Sequence, residues 1–289
     1  MRWPPAAVVA LGLALLAARG DAGAPPVPRG ADPARITAEQ ARPAPPRQPA
    51  RDAPRSRVPA RREVAVPFRV GESLTYNVSW SQYLIAGTAT STVVAKEPSS
   101  NSAAYAIVAE GRPLPILARL YQLYYRMNSS LDSFTLLTHR SSLYSEEGSR
   151  RRQTATRFDR TARRAFFEIA TDPATRSDFA MPPHAQDGLA TLYALRARTF
   201  APGERVTVPV VDEGMLYAVD VEAAAVERVK VAAGEFDATS LKVSIVDPAK
   251  QPVGRDIVVW YSTDPRRLPV KIQAGLPVGD FVLALKEIK

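Results

Sequence analysis

From Phe68 to the last residue, apolar and polar positions alternate in short runs separated by turn residues. Leu74, Tyr76, Val78 and Trp80 share one parity; Thr75, Asn77 and Ser79 share the other. That period of two predicts a half-buried strand. Gly87 to Ala95, Ala104 to Glu110, Tyr121 to Leu131, Phe134 to Tyr144, Gln153 to Phe158 and a run ending at Ile169 read the same way. Strands continue at Val206 to Val211, Met215 to Val221, Glu227 to Val231, Ala238 to Val246, Asp256 to Tyr261, Leu268 to Ala274 and Asp280 to Ile288. Counting the short runs conservatively, the pattern predicts about twelve strands in a meander. Turn chemistry separates them, as at Glu97 to Asn101, Glu146-Glu147-Gly148 and Ala233 to Phe236. Asp172-Pro173 and Met181-Pro182-Pro183 are expected to flank a polar loop.

One stretch breaks the period. Asp187 to Arg198, DGLATLYALRAR, places Leu189, Leu192, Tyr193 and Arg196 at three- and four-residue steps, and Asp187 is a candidate N-cap. A short turn of helix is also expected at Ile116 to Leu120, after Pro113 and Pro115. Short connections imply antiparallel neighbours. A sheet of that many twisted strands curls. The expected fold is mainly β: a single strongly curved antiparallel sheet, a half-open barrel, with one main covering helix.

The N-terminal part is different. Arg2, the apolar run Ala6 to Ala18 and the small residues Ala22-Gly23-Ala24 predict an export signal over 1–24. The run is too short to span a bilayer of ~30 Å at ~1.5 Å per residue, so no integral membrane segment is expected after cleavage. Residues 25–63 hold ten Pro and nine Arg. They are expected to form a disordered linker, because Pro blocks both helix and sheet and little apolar surface is available to bury. The folded domain is expected over 64–289. The export signal predicts a periplasmic or secreted location, and the absence of Cys fits a bacterial, Gram-negative envelope.

Charge adds little to this. The formal net charge is +9, but residues 1–63 carry eleven Arg, no Lys and five acids, a net of +6. The folded part keeps +3, too little to argue for a nucleic-acid partner. The chain has no Cys, which excludes disulfides, thiol nucleophiles and Cys-based metal sites. No cofactor is implied.

Four pieces resemble a known family: the opening FRVGESLTYNVSW with Ile85-Ala86-Gly87, the helix entry QDGLATLYALR, the hairpin VAAGEFDATSLKV, and VVWYSTDPRRLPVKI followed by Val278-Gly279. In that order and spacing they are similar to the exported bacterial family known as domain of unknown function 3108. The resemblance implies a curved antiparallel sheet around helical cover, similar to the half-open barrel of periplasmic lipoprotein carriers and outer-membrane lipoprotein receptors. It implies no reaction and no catalytic residues, and fold alone is a poor guide to function.

Candidate site residues come from the apolar face. Tyr76, Trp80, Tyr121, Tyr125, Trp260 and Phe281 either fill the core or line a site for a lipid or lipoprotein acyl chain. Arg196 is expected at a solvated helix end, or paired with a buried carboxylate or a ligand head group. Arg267 sits at the tip of an Asp264-Pro265 turn, as part of a well-specified hairpin or as an anion contact. Arg150, Arg151, Arg152, Arg157, Arg160, Arg163 and Arg164 make a solvated edge or a positive face for an anionic envelope polymer. The two histidines, His139 and His184, form no recognised motif. A hydrolase would need His184 and Asp187 beside a hydroxyl such as Ser177 or Thr191, and GxSxG is absent. The expected function is non-enzymatic binding of a hydrophobic or amphipathic ligand in the concave face. The alternative is an assembly or scaffold protein that contacts envelope proteins.

Overall fold

The computed structural model describes residues 62–81, 84–99, 102–119, 122–171, 173–276 and 279–289. The expected export signal, nearly all of the linker, and Tyr121 lie outside them. Along the chain come β1 (Ser73–Trp80), β2 (Leu84–Ser99), β3 (Ser102–Pro113), α1 (Pro115–Ala118), β4 (Leu123–Asp132), β5 (Thr138–Glu147), β6 (Arg150–Asp159), β7 (Arg164–Ile169) and β8 (Thr175–Ala180). After α2 (Gly188–Arg196) follow β9 (Arg205–Asp212), β10 (Met215–Val231), β11 (Gly234–Val246), β12 (Arg255–Ser262), β13 (Pro269–Leu276) and β14 (Gly279–Ile288).

All fourteen strands form one sheet, in the order β8-β7-β6-β5-β4-β3-β2-β1-β14-β13-β12-β11-β10-β9, and every neighbouring pair is antiparallel. The first and last strands therefore meet in the middle, with Tyr76 opposite Leu285 and Val78 opposite Leu283. The two edges, β8 and β9, are consecutive in sequence. The segment that links them carries α2.

The curved sheet has no continuous ladder joining β8 to β9. Gln186 forms a single parallel bridge with Val210, its amide donating to Pro209 O at 3.0 Å and its carbonyl accepting from Val211 N at 2.7 Å. Side chains do the rest. Phe158 and Ala165 from β6 and β7 pack with Met181, Ala185 and Val211. The β9–β10 turn reaches β7, where a Cβ on Gly214 would stand 2.8 Å from the Phe167 ring; this glycine also has φ +79°.

Two expectations need correction. Thr175–Ala180, expected as a polar loop, is the edge strand β8; its residues are exposed apart from half-buried Phe179, so no apolar alternation marks it. Met215–Val221 and Glu227–Val231 are one strand, β10, whose pairing with β11 is irregular between Ala223 and Val226. The main core gathers the inward residues of β1 and β9–β14, with Leu74, Val259, Val270 and Leu285 fully shielded.

Leu285 sits in the central strand pair at 0% exposure. Truncation to Ala should cost about 2–5 kcal/mol, the range for buried Leu, whereas Val226→Ala on the exposed part of β10 should stay within about 0.5 kcal/mol. Urea titration of both variants checks this.

Candidate functional site

α2 occupies the concave side of the sheet and is fastened at both ends and in the middle. At its start Asp187 is the N-cap: Oδ1 accepts from Ala190 N at 3.0 Å, and Oδ2 accepts from Ser129 Oγ at 2.7 Å and Thr138 Oγ1 at 2.9 Å. Burial pushes the Asp187 pKa up, against the pull of those donors. Arg160 secures the approach, donating to Ala185 O and Thr138 O, both at 2.6 Å. Burial lowers the pKa of Arg160 to about 10.

In the middle, Tyr261 Oη donates to Leu192 O at 2.8 Å, and the Tyr193 and Ser91 hydroxyls lie 2.8 Å apart. At the far end Arg196, only 1% exposed, makes a two-pronged contact with the Glu72 carboxylate, with NH2 donating to Oε2 at 2.9 Å. Its Nε donates to Arg267 O at 2.9 Å and NH2 to Arg266 O at 2.8 Å. Burial pushes the guanidinium pKa down; Glu72 more than restores it, and the group stays charged.

The helix is not amphipathic as expected. Of its nine residues only Ala194 escapes burial. The face opposite Leu189, Leu192 and Tyr193 carries small residues, so it too can press against the sheet.

That packing leaves little room. One space lies between α2 and the centre of the sheet, lined by Tyr76, Ala89, Ala109, Leu189, Ile272 and Leu283. It is apolar and holds about 30 Å³, enough for one or two waters; sites for drug-sized ligands occupy about 300–1,000 Å³. A second space of about 20 Å³ has a mixed lining that includes Met127, Leu143, Thr154, Asp187, Asp212 and Glu213. Arg152 reaches Glu213 there at 2.7 Å. Asp212 as a residue keeps some accessibility, but its Oδ2 is shielded and has no hydrogen-bond partner among the described residues. Its pKa is pushed well up by burial and then by the Glu213 and Asp187 charges.

The predicted site residues do not converge on one cavity. Tyr76 lines the apolar space, but its hydroxyl is taken by Pro269 O at 3.0 Å. Trp80, half-buried, ends β1 so close to Gly279 that a Cβ there would stand 2.3 Å from the indole nitrogen. Tyr125 is buried and donates to the Glu147 carboxylate. Trp260 binds Glu227 Oε1 at 2.5 Å, with Lys271 Nζ 4.6 Å from its ring centroid, while its neighbour Tyr261 points at the helix. Arg267 donates to Ala197 O at 3.0 Å, capping the C-terminus of α2.

The basic stretch divides between the two sides of the sheet. Arg152 and Arg160 turn inward. Arg151 pairs with Glu146, Arg157 with Asp159, and Arg164 with Asp178, so part of the stretch is neutralised locally. His184 is exposed, whereas Asp187 is spent on the cap; His139 sits 3.0 Å from Asp132. Among the described residues no three His, Asp or Glu side chains are placed to hold a metal ion. Sequence reasoning missed Glu72, Tyr261 and Asp212, and placed Arg160 only within the basic stretch.

These features define a half-open antiparallel β-barrel plugged by its own helix. The chain belongs to the family described as protein of unknown function DUF3108, whose model matches residues 75–286. The fold is shared with a β-barrel-like protein of domain of unknown function DUF1849 from Brucella abortus, at 10% identity and a TM-score of 0.53, covering 78% of this chain and 99% of that one. A candidate exported protein with a YmcC-like fold from Bacteroides fragilis (12% identity, 78% and 99% coverage) and a candidate lipoprotein from Parabacteroides distasonis (12%, 79% and 100%) align at TM-scores of 0.34 and 0.33, too low to add to the fold assignment. No curated protein matches the chain.

Asp212 makes a pH prediction. Its folded pKa lies above the unfolded value of about 3.9, so between those two values the folded state holds a proton the unfolded chain has released. Stability should therefore fall as pH rises across that interval. Asp187 contributes in the same direction. Urea midpoints at pH 5 and pH 8 should differ in the wild type, and Asp212→Asn should shrink the difference and raise stability at pH 8. An unchanged difference would remove Asp212 from this account.

Proposed function

We propose that this chain is a non-catalytic protein of the cell envelope that acts through its surface, as an assembly or scaffold module. The observation that carries the reading is the filled interior. The concave face is packed against α2, and the space left beside the helix is about 30 Å³. The apolar run Ala6 to Ala18 supports export. Charged pairs cover much of the outer sheet, where partners would have to bind.

Carriage of an acyl chain, the expectation from the sequence, becomes the second reading. What favours it is the apolar lining beside α2, where β2 and β3 offer only small Ala89, Ser91 and Ala109. It requires α2 to leave the sheet. That movement strips Arg196 from Glu72 and Asp187 from Ser129 and Thr138, and buried charges deprived of their partners are costly.

Native mass spectrometry separates the two. The protein, taken from bacterial envelope without detergent, should have the mass of the polypeptide alone, and solvent extraction should release no lipid. A stoichiometric lipid adduct, lost when Ala109→Leu fills the space beside the helix, would restore carriage as the leading reading.

A further inference from the structure

The connection between β3 and β4 is apolar where a soluble protein has little reason for it. From Gly111 to Tyr125 the sequence is GRPLPILARLYQLYY, with two Arg and no acid. Its one helical turn, α1, buries none of its four residues, and Ile116 is 70% exposed, the most exposed large hydrophobic residue described. Leu114 N donates to Ala86 O at 2.9 Å, which holds this turn beside the start of β2, where Ile85 is 45% exposed. The turn that carries Ile116 and the start of β2 are thus neighbours along the backbone. Val94, also exposed, lies further along β2, and Val226 lies on β10.

Cations flank the patch. Arg112 and Arg119 are exposed on either side of α1. Glu110 is engaged by Arg126 at 2.7 Å, Arg112 at 3.5 Å and the Tyr124 hydroxyl at 2.9 Å, and no carboxylate lies within 4.0 Å of Arg119 among the described residues. A second copy is a poor occupant, because it would bring the same arginines together while the nearby acid, Glu110, is already engaged by Arg126 and Tyr124. A rigid protein partner needs an interface of roughly 1,000 Å² or more, and a single helical turn with one neighbouring side chain offers only a fraction of that. A bilayer surface needs much less: a few apolar side chains enter the interface while basic residues meet anionic head groups.

We propose that the α1 rim, with Ile116 at its tip and Arg112 and Arg119 beside it, docks onto the surface of an anionic phospholipid bilayer. Contact through so few side chains is reversible and weakens with salt. This goes beyond the surface-acting reading above and is tested separately, since it concerns neither the interior nor any protein partner.

Because the chain has no Cys, a single introduced thiol can report on one position. The whole chain carrying Ile116→Cys, labelled with a polarity-sensitive dye, is mixed with vesicles of phosphatidylglycerol and phosphatidylcholine in equal amounts, and with vesicles of phosphatidylcholine alone. Dye emission at 116 should shift to the blue only with the anionic vesicles and return in high salt. The same dye at Val226→Cys should not respond. Co-sedimentation without a shift at 116 would mean the Arg-rich segment binds alone and would overturn the proposal, as would no binding. A shift that grows with protein concentration in the absence of lipid would assign the rim to a second copy instead.

Discussion

The buried contact between Arg196 and Glu72 ties the last turn of α2 to the residue that precedes β1. β1, the first strand, pairs with β14, the last. Through this one ion pair the plug is fastened to the centre of the sheet rather than to an edge. A charge pair this deep is not a strong source of stability, because desolvation offsets much of the attraction. Its effect is on position. Removing one partner leaves an uncompensated charge, at a cost of about 3–5 kcal/mol. Carbonyls of Arg266 and Arg267 supply further acceptors, so the β12–β13 turn is held by the same guanidinium. Arg267 returns the contact through Ala197 O, and the helix end and hairpin fix each other.

The opposite end of α2 is held differently. Asp187 gathers two hydroxyls and a helix amide, and Arg160 gathers the carbonyls that precede it. Near this end the strands of the β8–β4 half curve towards the β9–β10 turn. The seam is closed by Arg152 on Glu213, by Phe167 against Gly214 and by a small apolar cluster. Without a continuous hydrogen-bonded ladder, such a seam depends on side-chain chemistry. Asp212 sits within it with a shielded oxygen that no donor serves, an energetic weakness at the least strongly paired part of the fold.

Much of the fold could be read from alternation. Leu74, Tyr76 and Val78 announce β1, and DGLATLYALR announces both α2 and its cap. The parts that could not be read have identifiable causes. β8 is polar on both faces because it is an exposed edge, so Thr175–Ala180 carries no periodic signal. Glu72 and Arg196 are 124 positions apart; nothing local in Gly71-Glu72 distinguishes a turn residue from a buried ion-pair partner. The register irregularity between Trp260 and Tyr261 leaves Tyr261 on the helix side, and the sequence offers no mark of it. Asp212 belongs to the run Asp-Glu-Gly, which reads as an ordinary solvated turn. Of the aromatic side chains expected at a ligand site, Tyr76, Tyr125 and Trp260 are buried, and their polar atoms are engaged within the protein. Paired hydroxyls and a filled cavity are properties of packing, which a pattern of residue types does not encode.

Whether α2 is a fixed plug or a movable lid is the point on which the functional reading turns. Native-state hydrogen exchange at the amides of Leu192, Tyr193 and Leu195 addresses it directly, because slow exchange measures the free energy of the opening that exposes them. If the helix is a plug, these amides exchange only through global unfolding, with the same opening free energy as the central pair β1 and β14 and the same denaturant dependence. If they exchange through a smaller opening that leaves β1 and β14 protected, the helix moves on an intact sheet, and the account of a self-filled, surface-acting barrel is contradicted.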